Sequence, residues 1–144
     1  MKKGFIWFLL ILAGVIGIYL IANIPSHCDV DLNKVKIVTY EDKCVTVHST
    51  LVNNHPEKSI KRVNLQLELY AGKDQVFGHE IYYAGTIWPD DDSGRIKWPI
   101  WFYSKPYRGK DLTLAKLAVI SYVFEDGIEF EVKTPRWYTF NPNK

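Results

Sequence analysis

The residues whose types and spacing could do chemistry are few: His27, Cys28, Cys44 and His48, the acidic run Asp90-Asp91-Asp92, and a set of Trp and Tyr side chains. Two thiolates and two imidazoles can hold zinc, and Cys44, Thr46 and His48 would share one face of an extended strand. The spacing, however, contains no compact ligand pair such as Cys-x2-Cys. Two cysteines beyond a membrane are expected to oxidise, and closing the loop between them would contribute about 3 kcal/mol by restricting the unfolded chain. The sequence thus points to a Cys28–Cys44 disulfide, with no metal site and no cofactor.

Catalytic constellations are harder to find. Ser49 follows His48 directly, but neighbours on a strand point to opposite faces and cannot form a nucleophile-base pair. Asp90, Asp91 and Asp92 before Gly94 are similar to the start of a calcium loop, yet the distant Glu is missing and a solvated acidic loop is the simpler reading. His55 and His79 read as surface residues. Without a nucleophile and base, a carboxylate pair or a metal cluster, the chain reads as a binding protein rather than an enzyme.

The aromatic residues are the functional signal. Trp88, Trp98, Trp101, Tyr82, Tyr83, Tyr103, Tyr107, Trp137 and Tyr138 exceed what one small core needs. Exposed Trp and Tyr anchor protein interfaces and stack on sugar rings, and they also gather at membrane-water boundaries. The partner-binding candidates are Trp88, Trp101, Tyr103 and Tyr107.

These side chains are positioned by two kinds of element. From Gly4 to Ile24 there is no charge, Lys2 and Lys3 precede the stretch and Pro25 closes it. That length suffices for a helix to cross ~30 Å of hydrocarbon at ~1.5 Å per residue. The positive flank places the N-terminus in the cytoplasm and everything after Pro25 on the far side. A cleaved signal peptide would have a shorter apolar region and a better cleavage site. Ala13 and Gly17 form a small-xxx-small pair, a route to weak self-association, although small residues are common in membrane helices anyway. The basic leader ending at Gly4-Phe5 is similar to a type IV prepilin, but Leu9 stands where that family has an acidic residue. A pilin-like subunit is therefore a minor alternative.

Residues 26–144 read as one extracytoplasmic domain. Without Lys2 and Lys3 the 18 basic residues become 16, equal to the 16 acidic ones, and no Lys/Arg run tracks a phosphate backbone. Nucleic acid is not expected as a partner. Hydrophobic alternation with period two marks strands at Val35 to Tyr40, Cys44 to Val52, Val63 to Tyr70, Gln75 to Gly85, Arg95 to Tyr103, Leu112 to Glu125 and Ile128 to Val132. Pro99 pushes its strand to an edge or a bulge, and Asp126-Gly127 marks a hairpin. The fold class is all-β: about seven antiparallel strands in an immunoglobulin-like sandwich, preceded by one N-terminal transmembrane helix.

The run Leu51-Val52-Asn53-Asn54, then Ile60 to Tyr70, then Gly72 and Val76, resembles the FxLYD-type sandwich domains of bacterial envelope proteins. Tyr122 to Gly127 is similar to the close of related small domains, while Ala71 stands where that family has Asp. The resemblance implies a sandwich exposed in the cell envelope. Together these readings lead to a membrane-anchored, non-enzymatic protein that binds an envelope or secreted protein. The alternatives are an immunity or inhibitor protein against a toxin, or a cell-wall carbohydrate-binding accessory.

Overall fold

The computed structural model describes residues 28–103 and 105–142. The stretch Gly4–Ile24, its Ala13 and Gly17, and His27 lie outside the described residues. Among the described residues no helix is long and apolar enough to cross a membrane.

Among the described residues eight strands form two antiparallel sheets. They are β1 (Val30–Glu41), β2 (Cys44–Asn53), β3 (Ile60–Ala71), β4 (Asp74–Ile87), β5 (Ile96–Trp101), β6 (Leu114–Phe124), β7 (Glu129–Glu131) and β8 (Tyr138–Phe140). One sheet runs β1-β2-β5; the other runs β4-β3-β6-β7, with β8 also pairing β6. Alternation explains the layering. On β3, Val63, Leu65, Leu67 and Leu69 are fully buried while Asn64, Gln66, Glu68 and Tyr70 remain partly open. On β2, Val45, Val47 and Leu51 face the core from the other sheet. Each fully buried Leu contributes about 1.5–3 kcal/mol by leaving water, so this two-sided apolar layer dominates the fold.

Local chemistry sets the ends of the strands. Pro99 lies on β5, at the edge of its sheet, where a missing N–H does least harm. Gly127, at φ 87, makes the turn between β6 and β7, a conformation that a side chain would resist. Two features depart from expectation. β1 starts at Val30 rather than Val35, because Val30 and Leu32 continue the buried face beyond an irregularity between Asn33 and Lys36. The eighth strand, β8, is too short to carry its own alternation and exists by pairing with β6.

The expected Cys28–Cys44 disulfide is not formed; both cysteines remain thiols. Register gives the reason. Val30 pairs with Asn53 at one end of β2, and Cys44 opens the other end of that ten-residue strand. At ~3.3 Å per residue the two cysteines are ~30 Å apart, far beyond the 4.4–6.8 Å between Cα atoms that a disulfide tolerates. Sequence proximity around a hairpin misled here: β1 and β2 run antiparallel, so residues flanking the pair end up at opposite poles.

Candidate functional site

The pole at which β1 begins is tied together by buried polar groups. Asn53 is completely buried, and its Nδ2 donates to the carbonyls of Lys58 (2.8 Å), Ile87 (3.1 Å) and Trp88 (3.1 Å). Its Oδ1 accepts from the His55 N–H at 3.0 Å. One side chain thereby fixes the β2–β3 loop against the end of β4 in the opposite sheet. The Asp29 N–H donates to the Tyr122 hydroxyl at 3.2 Å, and that hydroxyl donates to Asp29 Oδ2 at 3.1 Å. Tyr122 also stacks on Phe130, with ring centroids 5.1 Å apart. Burial, ahead of the nearby Asp29 charge, pushes the Tyr122 phenol well above its ordinary range.

At the opposite pole the partner-binding candidates divide. Trp101 pairs with Cys44 across the β2–β5 ladder, and its ring stacks on Tyr103 at 5.1 Å and 14° between planes. The two are 45% and 69% exposed, which makes them a solvent-facing aromatic platform at an edge-strand end. Tyr107 lies near the same pole but acts as a strut. Its hydroxyl donates to Asp74, the first residue of β4, and its carbonyl accepts from Lys43 Nζ at 2.7 Å. Lys43 also reaches the Lys105 carbonyl at 2.5 Å, so the loop after β5 is folded onto the β1–β2 turn. Trp88, 63% exposed, sits at the Asn53 pole, ~30 Å from Trp101 by the length of β2. Trp98 is buried, and its Nε1 donates to the Tyr82 carbonyl at 3.0 Å, linking the two sheets.

Between the poles, on the outer face of the three-stranded sheet, lies a feature with no counterpart in the linear sequence. Lys36 of β1, His48 of β2 and Lys97 of β5 form one cross-strand row. Lys34, Lys36 and Arg95 rim a bowl of ≈530 Å³ whose lining includes His48, Ser49 and Thr50. The β1 irregularity shapes it: Lys34 adopts φ 53, and Ser49 Oγ donates to the Asn33 carbonyl at 3.1 Å. Burial first, then Lys97, Arg95 and Lys36, hold the His48 imidazole below its ordinary pKa. The opposite sheet carries the converse, a bowl of ≈520 Å³ lined by Asn64, Glu80, Ile120, Ser121, Glu129 and Glu131.

The acidic run after Trp88 is occupied with its own turn: Asp92 Oδ1 accepts from the Gly94 N–H at 2.7 Å, and Asp91 Oδ1 from the Asp92 N–H at 2.8 Å. Among the described residues no group of three or more His, Cys, Asp or Glu is placed to hold a metal ion.

No family model matches the chain, and no curated protein matches it in sequence. Among solved structures it is similar to the structural-genomics target SoR45 at 14% identity, with 78% of this chain and 86% of that one covered and a TM-score of 0.47. It is also similar to AT1g01470 from Arabidopsis thaliana at 12% identity, with 77% of each chain covered and a TM-score of 0.43. OgpA from Akkermansia muciniphila aligns at 12% identity over 82% of this chain and 30% of that one, with a TM-score of 0.42.

Proposed function

We propose that this chain is a membrane-anchored, non-enzymatic envelope protein whose extracytoplasmic domain binds another protein through the Trp101–Tyr103 platform. The observation that carries the reading is the stacked, solvent-facing pair at the end of β5. Large rigid rings with little side-chain entropy to lose are the usual anchors of protein interfaces. Anchor and platform fit one geometry. A chain leaving the bilayer near Pro25 enters the domain at the Asn53 pole, so Trp101 and Tyr103 would point away from the lipid. Trp88, at the near pole, would then lie where interfacial aromatic residues gather.

An immunoglobulin-like topology is part of the proposal. In the constant-type arrangement the fourth strand pairs within the sheet of the first, second and fifth, whereas β4 here pairs with β3.

Purifying the full chain from its native membranes, beside a variant carrying Trp101→Ala and Tyr103→Ala, tests the platform. Proteins that depend on it should be lost from the variant. An identical set of co-purifying proteins would refute the reading. For the topology, an impermeant thiol reagent should label Lys61→Cys, an exposed β3 position, in intact cells; labelling only after lysis would invert it.

The parallel stacking of the two rings also supports a second reading, a carbohydrate-binding accessory, since a sugar can lie on an outer ring face. Co-sedimentation with peptidoglycan, lost in the same variant, would favour it.

A further inference from the structure

We propose that the basic bowl on the outer face of the three-stranded sheet binds a phosphomonoester or hydrogen phosphate ion, with Lys34, Lys36, Arg95 and Lys97 supplying charge and His48 a specific contact. Three independent features meet there. The first is convergence: cations from β1 and from the start of β5 surround one concavity, although they lie some 60 positions apart in the chain. Among the described residues none of these four is in an ion pair, whereas Lys58 and Arg108 elsewhere are paired with Asp126 and Asp42. Unneutralised cations held together by strand register repel one another, and an anion relieves that repulsion.

The second feature is His48. Its Nε2 is covered, yet among the described residues it is the one buried side-chain nitrogen or oxygen without a hydrogen-bond partner. A buried polar atom left unpaired is costly, and because His48 lines the bowl a ligand seated there can complete it once the ring turns to expose Nε2. The third is Lys34. A lysine occupies a left-handed backbone position, φ 53, at the β1 irregularity, where glycine would be comfortable. That conformation sets a cation on the rim of the bowl.

The choice of phosphate over carboxylate follows from proton bookkeeping. The groups bearing on His48 are Lys36 from β1 and Lys97 and Arg95 from the β5 side, all positive, and they favour the neutral ring. A neutral imidazole whose Nε2 lacks a proton needs a donor. A carboxylate only accepts, so it suits only the Nε2–H tautomer or the protonated ring. A phosphomonoester, with its second ionisation near pH 6, still carries a P–OH in part of its population and presents further oxygens to the cations. The same anion also serves the ring if it protonates, because Nε2–H then donates to a phosphate oxygen. Among the described residues no Phe, Tyr or Trp lines the bowl, so recognition rests on the phosphate rather than on a stacked base or sugar.

The test uses the full chain in detergent micelles, following the imidazole signals of its four histidines by NMR at constant ionic strength. Inorganic phosphate should move the His48 signal saturably and raise its titration midpoint, leaving His55 and His79 unmoved. Lys36→Gln with Arg95→Gln should weaken binding about a hundredfold, roughly tenfold for each charge-assisted contact. Lys61→Gln, an exposed lysine on β3, serves as the control and should bind as before. Glycerol 3-phosphate and micelles of short-chain phosphatidic acid separate the sources: tighter binding to the first indicates a free monoester, to the second a lipid headgroup. The proposal is overturned by an unsaturable or absent His48 response, by full affinity in the double variant, or by equal binding of polyglutamate or a phosphodiester.

Discussion

The two poles of the domain are built in opposite ways. Around Asn53 and Tyr122, polar groups are buried and paired, and they join loops to strands across both sheets. Around Trp101 and Tyr103, large apolar rings are open to solvent, and the polar contacts nearby belong to the loop packed under them. The difference teaches where the fold spends its order. Buried, satisfied hydrogen bonds make one pole rigid, while the other retains apolar surface that adds little to the folded state by itself. The paired polar pole and the open aromatic pole are separated by the length of β2, ~30 Å.

The largest effect should therefore come from Asn53. Asn53→Ala strands three backbone carbonyls and the His55 N–H in a buried setting, and the expected loss is about 3 kcal/mol or more in urea unfolding. A loss no larger than that of an ordinary loop substitution would erase the contrast between the poles. Next comes Tyr122→Phe, which keeps the ring but removes the hydroxyl that accepts from Asp29 N–H; about 1–2 kcal/mol should be lost. Its pH dependence has a defined sign. The folded phenol titrates above the ordinary value of 10.0, so its neutral form stabilises the fold fully below that pH. This contribution is lost as pH rises above 10.0 toward the folded value, and the variant should lack that alkaline loss.

Much of this was legible in the sequence, and what was not has a common cause. The faces of β2, β3 and β5 follow from alternation alone: Val45, Leu65 and Trp98 are inside, while Trp101 and Tyr103 are outside. Of the two settings that Pro99 allows its strand, an edge or a bulge, β5 takes the edge. Which strand lies beside which is decided by long-range pairing, and every surprise depends on it. Asn53 falls just past the strand that alternation marks at Cys44 to Val52, and two of the three carbonyls it satisfies, those of Ile87 and Trp88, come from the far end of β4. The formally neutral composition concealed a basic bowl on one sheet and an acidic one on the other, since only register gathers Lys36, His48 and Lys97 into a row. A positive φ at Lys34 likewise leaves no mark on local residue type.

At the open pole the effect on stability should be small. Trp101→Ala with Tyr103→Ala removes two solvent-facing rings that stack mainly on each other, and a shift within about 0.5–1.5 kcal/mol is expected, the worth of one exposed aromatic pair. A loss as large as that for Asn53→Ala would mean that the platform holds the fold together, and the division of labour between poles would fail. Loss of a partner with stability retained would sharpen it.

The smallest expected effect is none at all, and it probes the separation of the poles directly. Cys28 lies beside the Asn53 pole and Cys44 beside Trp101, so no bridge joins them and reductant has nothing to cleave. The urea midpoint of the monomer should be the same with and without dithiothreitol. Were a Cys28–Cys44 bond present, reduction would lower stability by about 3 kcal/mol, as expected for a loop of that size. Such a bond cannot coexist with Val30 paired to Asn53 and Glu41 paired to Cys44. A drop on reduction would therefore displace the β1–β2 register itself, and with it the row that places Lys36 beside His48.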